Sequence, residues 1–162
     1  MKSFKSFISK KKDSHIENHP LDKMRDYTKE EFPWEYREYT KYASSRFPHA
    51  FKDADHFSKE YKKAPLKHLS SDEIKKLEYS TASGYLHDGP INRKLSDAKG
   101  EFGHRRDVDK ISHGIDHEKM PPPIVLKHSG GMRILGGNTR LSVGLAKNKN
   151  LPVKIIDISD RH

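Results

Sequence analysis

The chain has 162 residues, 34% of them charged and 32% hydrophobic, with a formal net charge of +9 and no cysteine. That length suits one domain of ordinary size, and a mean hydropathy of −0.98 predicts a modest core with solvated segments. Disulfides, thiolate metal sites and cysteine nucleophiles are excluded, and no apolar run is long enough to cross a bilayer. The excess positive charge favours polyanionic partners, nucleic acid and nucleotides among them, with solubility through surplus lysine as the simpler alternative. The opening "MKSFKSFISKKKDSH" lacks the apolar run and cleavage site of a signal peptide. The expectation is a soluble cytoplasmic protein with no membrane partner.

Residues 1–28 read as a flexible basic segment, with a short amphipathic helix through Phe4, Phe7 and Ile8 at its start. Residues 29–64 read as a helical extension. In "EEFPWEYREYTKYASSRF" the residues Phe32, Tyr36, Tyr39 and Ala43 fall on one helical face, ended by Pro48. In "DADHFSKEYKK" Ala54, Phe57 and Tyr61 do the same. An aromatic stripe of this kind suits base stacking or a buried face. Burial is the expectation, because a buried face is what stabilises a surface helix.

Residues 65–162 carry most of the apolar sequence and predict one small α+β domain. "PLKHLSSDEIKKL" reads as a brief strand and then a capping box, Ser70 to Glu73, with Ile74 and Leu77 on the apolar face. "YSTASGYLHDGPINRKL" is a turn-rich stretch whose hydroxyls Ser80, Thr81, Ser83 and Tyr85 either border a pocket or serve local turns. "DVDKISHGIDHEKM" spaces Val108, Ile111 and Ile115 as a helix. His113 and His117 lie four apart on it, a metal-compatible spacing that still lacks a third ligand and the zinc-protease glutamate. "PPPIVLKH" and "MRILG" form a hairpin around Ser129 to Gly131. A short helix with Leu141 and Leu145 follows, closed by Asn148 to Asn150, and "VKIIDI" is the last strand.

The break between hairpin and helix is the candidate site. Glycines before a helix start let an anion approach unpaired amides and the positive end of the macrodipole. Gly136, Gly137, Asn138 and Thr139 stand there, and Arg140 adds a fork of charged donors suited to phosphate. A tight turn packed against a neighbour, with Asn138 or Thr139 as the cap, explains the same residues.

The run "MPPPIVL … ILGGNTRLSVGLAKNKNLPVKII" resembles the ParB/sulfiredoxin-like superfamily over roughly residues 107–158. It matches that group's order of helix, β-hairpin, helix and strand. The resemblance implies that Gly136, Gly137 and Arg140 hold nucleotide phosphates, with Asp107 and Lys110 of "DVDK" near the nucleotide and Mg²⁺ with ATP or CTP as cofactors. Lys110 would neutralise phosphate, Asp107 would hold a metal or act as base in phosphoryl transfer or phosphoester hydrolysis, and Arg140 would clamp the oxygens. Glu101, Asp109 and His104 are the other nearby candidates, and Asp107 as a plain helix cap is the alternative.

Two departures matter. Sulfiredoxins carry their catalytic cysteine where this chain has Asn138, so sulfinic acid repair is excluded. ParB partition proteins carry a helix-turn-helix domain after this unit, and here the chain stops at His162. The lysine-rich opening resembles small accessory proteins of tailed phages, which implies a host cytoplasm. Set against the nucleotide-binding reading is a non-catalytic DNA- or protein-binding accessory module that keeps only the fold.

Overall fold

In the computed structural model, residues 16–78, 99, 100, 103 and 106–161 are described. The amphipathic start through Phe4, Phe7 and Ile8, the hydroxyl-rich stretch 79–95, Glu101 and His104 lie outside the described residues. The architecture is mixed α+β. Strand β1 (Glu17–Asn18) and a 3₁₀ turn at Leu21–Lys23 precede helix α1 (Phe32–Glu38), which runs on through a π turn at Tyr39–Ala43. Then come α2 (Ala54–Lys63), β2 (Leu66–Lys67), α3 (Ser71–Lys75) and α4 (Val108–His117). The hairpin β3 (Ile124–His128) and β4 (Gly131–Gly136), α5 (Asn138–Ala146), β5 (Lys149–Asn150) and β6 (Val153–Asp157) complete the chain.

A four-stranded sheet in the order β2-β6-β3-β4 forms the centre. The hairpin is antiparallel, whereas β6 returns parallel to β3 on its other side. Both faces are covered, so the middle strands are nearly continuous apolar runs. Ile134, Val125 and Ile155 stand in cross-strand register and point into one core with Ile74, Leu77, Val108, Ile115, Leu141 and Leu145. One residue along, Leu126 and Ile156 are paired and point the other way, into Phe57, Tyr61, Tyr39 and Phe51. The period-two side-chain alternation of a strand thus splits one sheet between two cores.

The second core consists largely of aromatic rings. Phe51 meets Phe57 edge-on at 5.0 Å and Tyr39 at 4.9 Å, the arrangement ring quadrupoles favour. Phe32, Tyr36, Tyr39 and Ala43 all face it, as the helical spacing predicts. Ala54 does not; it is exposed. Asp53 caps α2 by accepting from His56 N at 2.8 Å, and the first residue of the helix therefore stands clear of the sheet. Upstream, Thr28 and Glu31 exchange backbone and side-chain hydrogen bonds at 2.8 and 3.2 Å, and Pro33 opens α1. The capping box of Ser70 and Glu73 is present at α3.

Residues 16–28, the described part of the basic N-terminal segment, lie along the fold. β1 pairs parallel with β5, Met24 bridges to Met120, and Met24 and Tyr27 are buried. The closing residues Asn148–Asn150 therefore include a strand. Beyond β2, Glu78 covers the free edge of β4 through backbone bonds to Met132 and Ile134, both 3.0 Å. None of the described helices is long and apolar enough to cross a membrane.

Helix α5 lies so close to the β5 segment that a Cβ on Gly144 would stand 2.9 Å from Leu151 Cγ and 3.0 Å from the Lys149 carbonyl. The backbone carbonyl cannot yield without disturbing the β1–β5 pair. Gly144→Ala is expected to lose about 1–3 kcal/mol of stability despite its better helix propensity, read as a lower urea midpoint.

Candidate anion site at the glycine turn

Strand β4 ends at Gly136, and Gly137 turns the chain into α5 with φ +103°, a left-handed conformation that glycine adopts without strain. Gly137 is itself the N-cap, and no side chain caps the helix, so Asn138 and Thr139 both fall in its first turn. Leu141 N closes that turn on the Gly137 carbonyl at 2.9 Å. Gly137 is required by a neighbour within the protein, and Gly136 leaves room for one. A Cβ at Gly137 would lie 2.6 Å from Pro123 Cβ, and one at Gly136 would collide with the Glu35 carboxylate.

Arg140 turns inward. Its guanidinium donates to the Pro121 carbonyl and, at 2.8 Å, to the Tyr27 hydroxyl, and it lies 5.7 Å from the centre of the Tyr27 ring. The Tyr27 hydroxyl in turn donates to the Pro122 carbonyl at 3.0 Å. A single cation thus ties the N-terminal strap, the linker between α4 and β3, and the start of α5. Burial works against the Arg140 charge, but Tyr27 and Glu35 outweigh it and hold the guanidinium above its usual pKa. Burial raises the Tyr27 phenol. Burial also raises the Glu35 carboxyl, against the opposing pull of Arg140, and its Oε2 is shielded with no hydrogen-bond partner.

The predicted site residues fall into two groups. Gly136, Gly137, Asn138, Thr139 and Arg140 are together at the start of α5. Asp107 and Lys110 are at the start of α4, where the Asp107 carboxylate accepts from Lys110 N at 3.0 Å as the helix cap. Asp109 pairs with Lys99 at 2.9 Å, and these residues line a shallow open depression with Gly103 and Arg106. The polar contacts of α4 with α5 and the segment after it are at the other end. There Lys147 binds Ser112 and Asp116, and Lys149 binds Asp116 at 2.9 Å. The two lysines hold the Asp116 carboxyl down at about 2. No hydrogen bond or ion pair among the described residues joins Asp107 or Lys110 to the glycine turn.

His113 and His117 are neighbours, with ring centres 4.5 Å apart. Among the described residues no group of three or more histidines or carboxylates is placed to hold a metal. Two residues of the site were not singled out from sequence, Tyr27 and Glu35. For Glu35 a signal exists: it stands three residues after Phe32 and four before Tyr39, which puts a carboxylate on the apolar face of α1. Comparison with known protein families, with characterised proteins and with solved structures found no match.

Because the folded state raises the Glu35 carboxyl above its unfolded value, ionising it costs stability. That cost is absent below the ordinary carboxylate range and sets in as pH rises through the raised value. Glu35→Gln is therefore expected to match the wild type near pH 4 and to melt higher at pH 7. A thermal-denaturation series across that range checks it; a variant less stable at pH 7 than at pH 4, relative to wild type, would contradict it.

Proposed function

We propose that this chain is a non-catalytic accessory module of ParB/sulfiredoxin-like descent that binds nucleic acid through its surface cations. The order α4, β3–β4 hairpin, α5 and β6 supports the relationship. One observation carries the functional reading: Arg140, to which the resemblance assigns a ligand phosphate, donates from its two terminal nitrogens to Pro121 and Tyr27. The cations left at the surface are those of the outer helices and loops, Arg37, Lys41, Lys59, Lys62, Lys63 and Lys67 among them. With a formal charge of +9, backbone phosphates are their natural counter-charge.

A second reading, binding of ATP or CTP with Mg²⁺ at Gly136–Arg140, is favoured by the Glu35 carboxylate. It already puts an anionic group against the turn. A nucleotide phosphate would take that place by displacing the Glu35 carboxylate. Nothing in the arrangement of Asp107 and Lys110 supports a phosphoryl-transfer or hydrolysis step.

Two measurements separate the readings. Fluorescence anisotropy with labelled oligonucleotides should show binding that weakens steeply between about 50 and 200 mM salt, as counterion release requires. A thermal-shift screen with ATP, ADP, CTP and GTP plus Mg²⁺ should show no rise in melting temperature, since only a ligand of the folded state raises it. A saturable nucleotide shift, lost on Arg140→Ala while the fold is kept, would overturn the binding-module reading.

A further inference from the structure

Resting on the nucleic-acid reading above, we infer that single-stranded nucleic acid is held on the outer face of α1 and its π turn, by Trp34, Arg37, Lys41 and Tyr42. Trp34 is 65% exposed, an unusual position for a large ring on a helix whose opposite face is a fully packed core. The Arg37 guanidinium lies 5.1 Å from the Trp34 ring centre, and Lys41 Nζ lies 5.1 Å from that of Tyr42. Trp34, Arg37 and Lys41 are all exposed and spaced three and four apart, so they share one side of the helix over roughly 10 Å of its length.

Charge is sorted by face along this helix. Glu31 is paired with Arg25 at 2.7 Å and Glu35 is turned in against Gly136, which leaves half-buried Glu38 and exposed Glu30, just before the helix, as the acids beside the outward-facing cations. A cation set on the exposed Trp34 ring and a second on the half-buried Tyr42 ring match the chemistry of an unpaired strand, in which bases offer flat faces for stacking and phosphates follow at regular intervals. A duplex keeps its base faces stacked inside and has only its backbone to offer the same patch. A protein partner would call for apolar neighbours around the tryptophan. One turn to either side of it along the chain stand Glu30, Glu31, Arg37 and Glu38, and among the described residues the other exposed large hydrophobic is Leu21.

Trp34 is the chain's single tryptophan, so fluorescence excited selectively at tryptophan, beyond the absorption of the seven tyrosines, reports on this position alone. Titration of the full chain with unlabelled short oligothymidylate should quench the emission to saturation, and an equal concentration of duplex should not. Trp34→Ala, at an unchanged melting temperature, should weaken oligothymidylate binding measured by anisotropy roughly tenfold or more. Arg37→Ala should weaken it and flatten its salt dependence. Undiminished affinity in both variants, with binding intact, overturns this assignment and leaves the general nucleic-acid reading standing. No retention of either oligonucleotide at low salt overturns both. Equal quenching by poly-glutamate would assign the face to acidic protein and also overturn the proposal.

Discussion

Taking a guanidinium partly out of water is costly unless its terminal nitrogens find partners. Arg140 meets that demand with a phenol and a carbonyl drawn from chain segments far apart in sequence, and the layout around it follows. Tyr27 must lie under the arginine, so the N-terminal strap is pulled across the ends of α4 and β3. Pro121 and Pro122 must present their carbonyls, and a proline-rich linker, with no amides of its own to satisfy at those positions, is suited to a place where only acceptors are needed. Glu35 then supplies a negative charge close enough to favour the cation without a direct ion pair. The resulting clasp of arginine, tyrosine and carboxylate sets the protein's own groups against the glycine turn.

The same clasp joins the layers. On one side of the sheet α3, α4 and α5 make an aliphatic core, and on the other α1 and α2 make an aromatic one. Aliphatic and aromatic residues are segregated because β3 and β6 alternate between the two sides, while the aromatic side chains come almost wholly from residues 27–61. The segment that reads as an extension is thus a layer of the fold. Without it the row of Ile124, Leu126, Leu135 and Ile156 would face water, and burying such side chains is worth about 1.5–3 kcal/mol each.

Several polar groups are matched within the protein: Arg140 with Tyr27, Glu78 with Arg46 and His128, and Asp116 with Lys147 and Lys149. His128 shows how completely. Its Nδ1 accepts from Gly130 N at 3.1 Å, which leaves Nε2–H to donate to Glu78, and no nitrogen remains for acid–base chemistry. The outer side of α1 and its π turn carries Trp34, Arg37 and Lys41, all exposed.

Much of this was legible in the residues because it is local. The capping box at Ser70, the aromatic stripe from Phe32 to Ala43, the hairpin around Ser129–Gly131 and the glycine break before α5 each depend on neighbours within a few positions. The conflict at Glu35, a carboxylate on an apolar helical face, was also written in the spacing. Tertiary structure alone decided what the glycines are for. Pro123 and Glu35 approach Gly137 and Gly136 across the fold, and Tyr27 reaches Arg140 over 113 positions, a pairing no sequence period encodes. It likewise set β6 beside β3 and β1 beside β5, since strand partners are chosen by the closing of long loops and the burial of whole faces.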